Sequence, residues 1–332
     1  MTKPCRLLFA LGALFAIAVS SVAPAHAYPD RPITIVVPYS AGGPTDKTAR
    51  DLGESIKRFT HAPSVIVENV VGAGGTIAAT KVIKASPDGY TLFFSHIGLA
   101  TTYALYPRLA YANSDFEYLG VISEVPMVLM ARPGLPVGNM AELLNLIKES
   151  KGGLSIAHAG NGSASQLCAL LFQSFIKMRL NTVPYSKGTA PALSDLIGGH
   201  VDLLCDQSLT ATPMVDAGKV KAIGVTTLSR LNGSPAIAAV PTFDEAGIKG
   251  FNFTVWQALY APKGTPPQVL TMLNNAVRAA LKDNEFINRQ QALGVQLVGD
   301  DRLTPIGHRR MMDSETTKWS KIIKDAGVYA EQ

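Results

Sequence analysis

The sequence predicts an α/β fold of two doubly wound domains joined by two crossover segments. Three observations carry that reading. Short β-branched runs alternate with helical patterns, which is the order of parallel sheets covered by helices. The alternation occurs in two separate series, and 332 residues leave room for about two domains of roughly 100–200 residues each. Apolar, extended stretches lie between the two series and read as crossings from one domain to the other.

The first series opens with Ile33-Thr34-Ile35-Val36-Val37, a run apolar enough for a fully buried strand. A helix follows from Thr45 to Phe59, then the strand Val65-Ile66-Val67, a helix from Thr76 to Lys84, and the strand Thr91-Leu92-Phe93-Phe94. In the second series, Leu154-Ser155-Ile156-Ala157 reads as a strand and Ser163 to Met178 as a helix. Thr182-Val183 then leads to a helix from Pro191 to Ile197, with strands from Val201 to Leu204 and from Ala222 to Thr226. The C-terminal part is mostly helical: Pro266 to Lys282, Glu285 to Leu293 and Thr304 to Ala326. Pro266 and Pro267 sit at a helix start, where a missing N–H costs little.

The crossings are Val121 to Pro136, which contains Pro126, Pro133 and Pro136, and Phe251 to Pro262 on the way back. One domain is therefore expected to combine residues 28–127 with 253–332, and the other to span 128–252. Two sequential domains with a single linker are the alternative. Closure about the crossings would hinge at Val125 to Ala131 and Thr254 to Leu259, where Trp256 can pack against ligand or hinge, core packing being the commoner fate of a Trp.

Residues 1–27 read as a secretory signal peptide. Lys3 and Arg6 precede the apolar run Leu7 to Val19, and Ala25-His26-Ala27 supplies an A-x-A cleavage signal. Cys5 lies ahead of the apolar run, so it is not the lipidated cysteine of a lipoprotein. Export and a chain beginning at Tyr28 are expected. In an oxidising compartment Cys168 and Cys205 can pair, but the sequence gives no distance between them, and two separate buried thiols remain open.

Composition narrows the function. The 47% hydrophobic content excludes disordered and fibrous classes, and the formal charge of +5 is not gathered into the basic face of a nucleic-acid binder. Enzyme motifs are missing: Gly162-Ser163 lacks the frame of a nucleophile elbow, and no Walker lysine follows a suitable loop. Val71-Gly72-Ala73-Gly74-Gly75-Thr76 lacks the third glycine of a dinucleotide fingerprint, and the acid that should follow falls at Asp88, inside a turn. His61, His96, His158, His200 and His308 are scattered, which gives no metal site, and no cofactor is expected. His96 and His158 each follow a strand and can face a ligand, although a structural histidine is the commoner fate.

The chemistry lies in two loops between strand and helix. The first is Pro38-Tyr39-Ser40-Ala41-Gly42-Gly43-Pro44-Thr45-Asp46, the second His158-Ala159-Gly160-Asn161-Gly162-Ser163-Ala164-Ser165. A helix N-terminus offers unpaired N–H groups and about half a positive charge, and preceding glycines let a ligand approach the backbone. Carboxylates and phosphates bind there without an arginine. Such loops lie at the carboxyl ends of strands, where open α/β sheets bind ligands. One loop per domain can hold the two ends of an anion between them.

These segments resemble the periplasmic receptors of the tripartite tricarboxylate transporter family, also called TctC or Bug-type receptors. The matching stretches, in family order, begin with Tyr28-Pro29-Asp30-Arg31-Pro32-Ile33 and Val36-Val37-Pro38-Tyr39 through Gly42-Gly43-Pro44-Thr45-Asp46. They continue with Val67-Glu68-Asn69, Gly72-Ala73-Gly74-Gly75, Pro87-Asp88-Gly89-Tyr90-Thr91 and Gly160-Asn161-Gly162-Ser163. Val183-Pro184-Tyr185, Lys187-Gly188, Ala190-Pro191-Ala192-Leu193, Gly198-Gly199, Val201-Asp202, Trp256 and Ala261-Pro262-Lys263-Gly264-Thr265-Pro266 complete the set. The resemblance implies a two-lobed type II periplasmic-binding-protein fold that closes on a small carboxylate and delivers it to membrane permease subunits, as a monomer. Carried over residue by residue, it implies ligand contacts at Tyr39, Ser40, Gly42, Gly43 and Thr45 on one lobe and Asn161, Gly162 and Ser163 on the other. Gly188 and Thr189 would add donors, Asp206 and Gln207 would select polar substituents, and His96 joins the set from its place after a strand. Asp46 is expected to cap the first helix, and Lys47 and Lys187 are the only cations near the loops.

The chain departs from the family pattern in three places. Tyr39 stands where Phe is common, His158-Ala159-Gly160 replaces Ser-Pro-Gly, and Cys205-Asp206-Gln207 replaces Phe-Asp-Asn. These leave the ligand open among aliphatic dicarboxylates, citrate-like acids, amino acids and aromatic carboxylates. Two rival outputs are a sensing subunit for a two-component kinase and an exported α/β hydrolase, the second opposed by the absence of a nucleophile–base pair.

Overall fold

The computed structural model describes residues 28–106, 108–185 and 188–327. The expected signal peptide and Lys187 lie outside them. Along the chain run β1 (Ile33–Val37), α1 (Pro44–Thr60), β2 (Val65–Asn69), α2 (Thr76–Ile83), β3 (Thr91–His96), α3 (Gly98–Leu105) and β4 (Phe116–Ala131). Next come α4 (Met140–Glu149), β5 (Ser155–His158), α5 (Ala164–Ile176), β6 (Asn181–Pro184), α6 (Thr189–Gly198), β7 (Leu203–Gln207), α7 (Ser208–Asp216), β8 (Lys221–Val225) and α8 (Pro235–Ala238). The chain ends with β9 (Thr254–Pro262), α9 (Pro267–Ala280), α10 (Asn284–Ala292), β10 (Gln296–Leu297) and α11 (Pro305–Ala326).

The strands lie in the order β2-β1-β3-β9-β4-β7-β5-β6, with β8 and β10 also paired to β4. Both outer parts are parallel, as expected: β1 with β2 and β3, and β5 with β6 and β7. The two segments read as crossings are themselves strands of the sheet, β4 and β9. β4 and β9 pair antiparallel from Phe116↔Pro262 to Pro126↔Thr254, after which β4 continues beside β7 and β8. A chain that leaves one lobe and returns beside its outgoing path must come back antiparallel, and that pairing satisfies backbone groups that would otherwise be buried unmet. The burial is severe: in β4 only Glu117 and Glu124 escape it, and then only in part.

One apolar core runs through both lobes, from Phe93 and Tyr260 past Val125 and Met127 to Phe172 and Phe251. A second fills the face of β1 and β3 under α1 and α9, with Leu52, Ile56, Phe94 and Val277. A third lies in the other lobe around Val128, Leu196, Leu204 and Val225. Cys168 of α5 and Cys205 of β7 are both fully buried and joined by a disulfide across 37 residues, which settles the alternative left open above.

Several boundaries move for local reasons. The strand expected from Val201 begins only at Leu203, because the Asp202 N–H donates to the Ser155 hydroxyl at 2.8 Å and not to the backbone of a neighbouring strand. The Asp202 carboxylate accepts the N–H and hydroxyl of Ser155 at 2.9 Å each and the Arg132 Nε at 2.8 Å. The helix expected from Pro191 starts two residues earlier, at Thr189 after Gly188, whose φ of +100° suits a glycine. Among the described residues, no helix is long and apolar enough to cross a membrane.

Candidate ligand-binding site

The carboxyl ends of β1, β3, β5 and β7 point into the gap between the lobes, and the helices that follow begin there. α1, α5, α6 and α7 direct their N-termini to it. Tyr39, Ser40, Gly43, Thr45 and His96 from one lobe, with Ser163, Gly188, Thr189, Asp206 and Gln207 from the other, line a cleft of about 420 Å³ including its mouth. Pro44, Ala159, Ala164, Ser165 and Ala190 complete its wall, and no Lys or Arg stands among these lining residues.

The two glycine loops are built alike, hydrogen bond for hydrogen bond. Gly42 and Gly162 both have φ of +77° and both precede the residue that caps a helix. Gly43 N–H donates to Ser40 O at 3.2 Å, and Ser163 N–H to Gly160 O at 3.2 Å. Three residues past the cap, a side chain reaches back: Asp46 accepts the Gly42 N–H at 2.8 Å and Gln166 accepts the Gly162 N–H at 2.7 Å. An asparagine completes each tie, Asn69 on Asp46 and Asn161 on Gln166, both at 2.9 Å.

Three of the residues expected to touch ligand stand away from this cleft. The amides of Gly42 and Gly162 are already engaged, and neither residue lines the cleft. Asn161 faces an outer recess with Pro38, Gly72, Gly74 and Tyr106. Asp46 does not cap α1; Gly43 does, without a side chain, and Asp46 sits buried three residues inside. Its carboxyl is held below the ordinary range by Arg50, Gly42 and Asn69, which outweigh its desolvation. The sequence reading missed Ser165 and Gln166. Ser163-Ala164-Ser165-Gln166 is the S-x-x-Q pattern of a capping box, and that spacing was the available signal. Ser163 does cap α5: its hydroxyl accepts the Gln166 N–H at 3.2 Å and donates to Gly160 O at 2.7 Å.

The remaining polar groups are neutral donors and one acid. Tyr39 stacks on His96 with ring centroids 4.2 Å apart, and its hydroxyl lies 3.3 Å from His96 Nδ1. That nitrogen also accepts the Gly98 N–H at 2.8 Å, which leaves the proton of the neutral ring on Nε2. Burial drives His96 down to about 3 and pushes Tyr39 up, so both are uncharged at neutral pH. His158 is buried behind its loop, with Nδ1 3.2 Å from Gly160 O, and does not line the cleft. Trp256 faces the other side of the crossing strands, where its Nε1 donates to Glu315 at 3.3 Å. Gln207 accepts from Gln257 Nε2 at 3.1 Å, which links the cleft to β9.

The lobes meet across the cleft. A methyl added at Gly188 would lie 2.9 Å from Ser40 Oγ, and one at Gly74 would lie 3.0 Å from the Asn161 carbonyl oxygen. At Gly188 the space of a side chain is taken by Ser40 of the opposite lobe, and at Gly74 it is shared by Tyr106 of its own lobe, 2.8 Å away, and Asn161 of the other.

With this geometry in hand, the likeness to known proteins is specific. Residues 48–328 match the family described as "Tripartite tricarboxylate transporter family receptor". The periplasmic binding protein BugD is 40% identical, with a TM-score of 0.85 over 92% of this chain and 100% of its own. MatC from Rhodopseudomonas palustris, solved with bound malate, is 37% identical, with a TM-score of 0.81 over 89% and 100% of the two chains. Rpa4515 of R. palustris, solved with adipate, is 32% identical, with a TM-score of 0.85 over 92% and 100%. The fold is the two-lobed type II periplasmic-binding-protein fold. The chain belongs to the tripartite tricarboxylate transporter receptor family, among its Bug-type periplasmic binding proteins.

Proposed function

We propose that this receptor is exported through residues 1–27, binds a small carboxylate in the cleft between its lobes and delivers it to the permease subunits of a transporter. It works as a monomer without catalysis, and its moving units are residues 28–127 with 253–332 and residues 128–252. The observation that carries this reading is the convergence of four helix N-termini on a cleft whose described lining holds no cation. Each N-terminus stabilises a nearby anion by about 0.3–1 kcal/mol, and up to ~2 kcal/mol where partly buried. Charge-assisted hydrogen bonds from Thr45, Thr189 and His96 add specificity. The malate and adipate of the two relatives favour aliphatic dicarboxylates as the ligand class.

A thermal-shift screen with malate, succinate, adipate, aspartate and benzoate tests the reading. An acid present at about 100 times its Kd adds ~2.7 kcal/mol to the folded state. The expected outcome is a clear rise in Tm with at least one dicarboxylate. No shift with any of these acids, or turnover of the one that binds, would overturn it.

A further inference from the structure

Asp206 is the one acid in the wall of the cleft, and it is 2% exposed. Its Oδ2 has no hydrogen-bond partner among the described residues. A buried carboxylate with an oxygen left unmet is out of place in a site for anions. Two carboxylates confined in one small, poorly hydrated cavity do not both stay ionised, and the group with the more apolar surroundings takes up the proton. On the carboxylate-binding reading above, we infer that Asp206 enters the complex as the neutral acid and donates a hydrogen bond from Oδ2 to a carboxylate of the ligand. Capture of a fully ionised acid therefore takes one proton from solution onto Asp206.

The surroundings agree. Burial raises Asp206 to about 7, opposed by the Gln207 N–H, the Thr189 and Thr210 hydroxyls and Lys47. An arriving anion raises it further. The groups that face it do not titrate between pH 6.5 and 8.5: His96 lies near 3, His158 is lowered, and Tyr39 is raised. The strand residues beside it, Met127, Val128 and Leu129 of β4 with Leu204 and Cys205 of β7, carry no charge. Ser163, Ser165 and Gln166 at the start of α5 and Ser208 of α7 are neutral as well. Lys47 is exposed on α1, and Lys187 lies outside the described residues.

Malate, succinate and adipate are suitable probes, because their own carboxyls are ionised throughout that range. Calorimetry of the tightest of the three at pH 7.5, in two buffers of different ionisation enthalpy, reads proton uptake directly on the unaltered protein. A net uptake of up to one proton is expected. Affinity should fall about tenfold per pH unit above the value of the free site. In Asp206→Asn, which keeps the shape and cannot titrate, both the uptake and the slope should vanish. Binding with no proton uptake and an affinity flat from pH 6.5 to 8.5 would overturn this inference and leave the carboxylate reading standing. So would an Asp206→Asn protein that keeps the wild-type slope. If none of the three acids binds, the reading and the inference fall together.

Discussion

Gly188 and Ser163 do different work at the same cleft, and substitution separates the two roles. Gly188 has φ of +100° and lies against Ser40 of the other lobe, so Gly188→Ala both strains the backbone and props the lobes apart. The strain costs of order 1–3 kcal/mol. Binding should weaken at least tenfold by calorimetry, while the circular dichroism of the folded protein stays the same. Ser163→Ala removes a helix cap, worth about 1 kcal/mol, and releases Gly160 from the Ser163 hydroxyl. Both stability and affinity should fall. Titrations at this scale have opposing signs. His96, His158 and His308 are lowered by burial, so their stabilisation is present above about 6.5 and is lost as pH falls towards their folded values. Asp206, raised to about 7, contributes stability below its unfolded value and loses it as pH rises through 7. The histidines outnumber the acid, so Tm should drop from pH 7 to pH 5. Asp206→Asn should make that drop steeper, and a shallower one would contradict the burial argument.

At the scale of elements, the disulfide ties α5, whose first turn lines the cleft, to β7, which ends in Asp206 and Gln207. Loop-closure entropy for a separation of 37 residues implies a stabilisation of about 2–4 kcal/mol. The double variant Cys168→Ala with Cys205→Ala should lose that much unfolding free energy and so unfold at a lower denaturant midpoint, and an unchanged midpoint would show the bridge to be idle. Elements with a clean apolar period were readable in the sequence. β1, β3 and α1 stand where the residue pattern put them, because one face or both faces of each are buried. α3 was not readable: Gly98-Leu99-Ala100-Thr101-Thr102 is buried on all sides, so its helix shows no polar face. α7 hid behind Pro213, which signals a break yet lies inside the helix. The loops were recognisable as anion sites from their glycines. Which amides are free was not, since Gly42 and Gly162 are engaged by side chains four residues further on, and only folding brings them together.

Across the whole molecule, β4 and β9 are at once the spine of the sheet and the path of any motion between lobes. Two paired strands bend more readily than they break, so opening should be a hinge about Val125 to Ala131 and Thr254 to Leu259. X-ray scattering in solution should show a smaller radius of gyration when a saturating dicarboxylate is added. An unchanged radius would mean that the lobes are already shut without ligand. The central claim is that an acid is gripped between helix N-termini of both lobes. A crystal structure with the tightest-binding dicarboxylate tests it most directly. The account predicts its carboxylate oxygens beside Thr45 on one side and Ser163 and Thr189 on the other, with Asp206 within hydrogen-bond reach. An acid held anywhere outside that gap, or paired with a surface lysine or arginine, would contradict it.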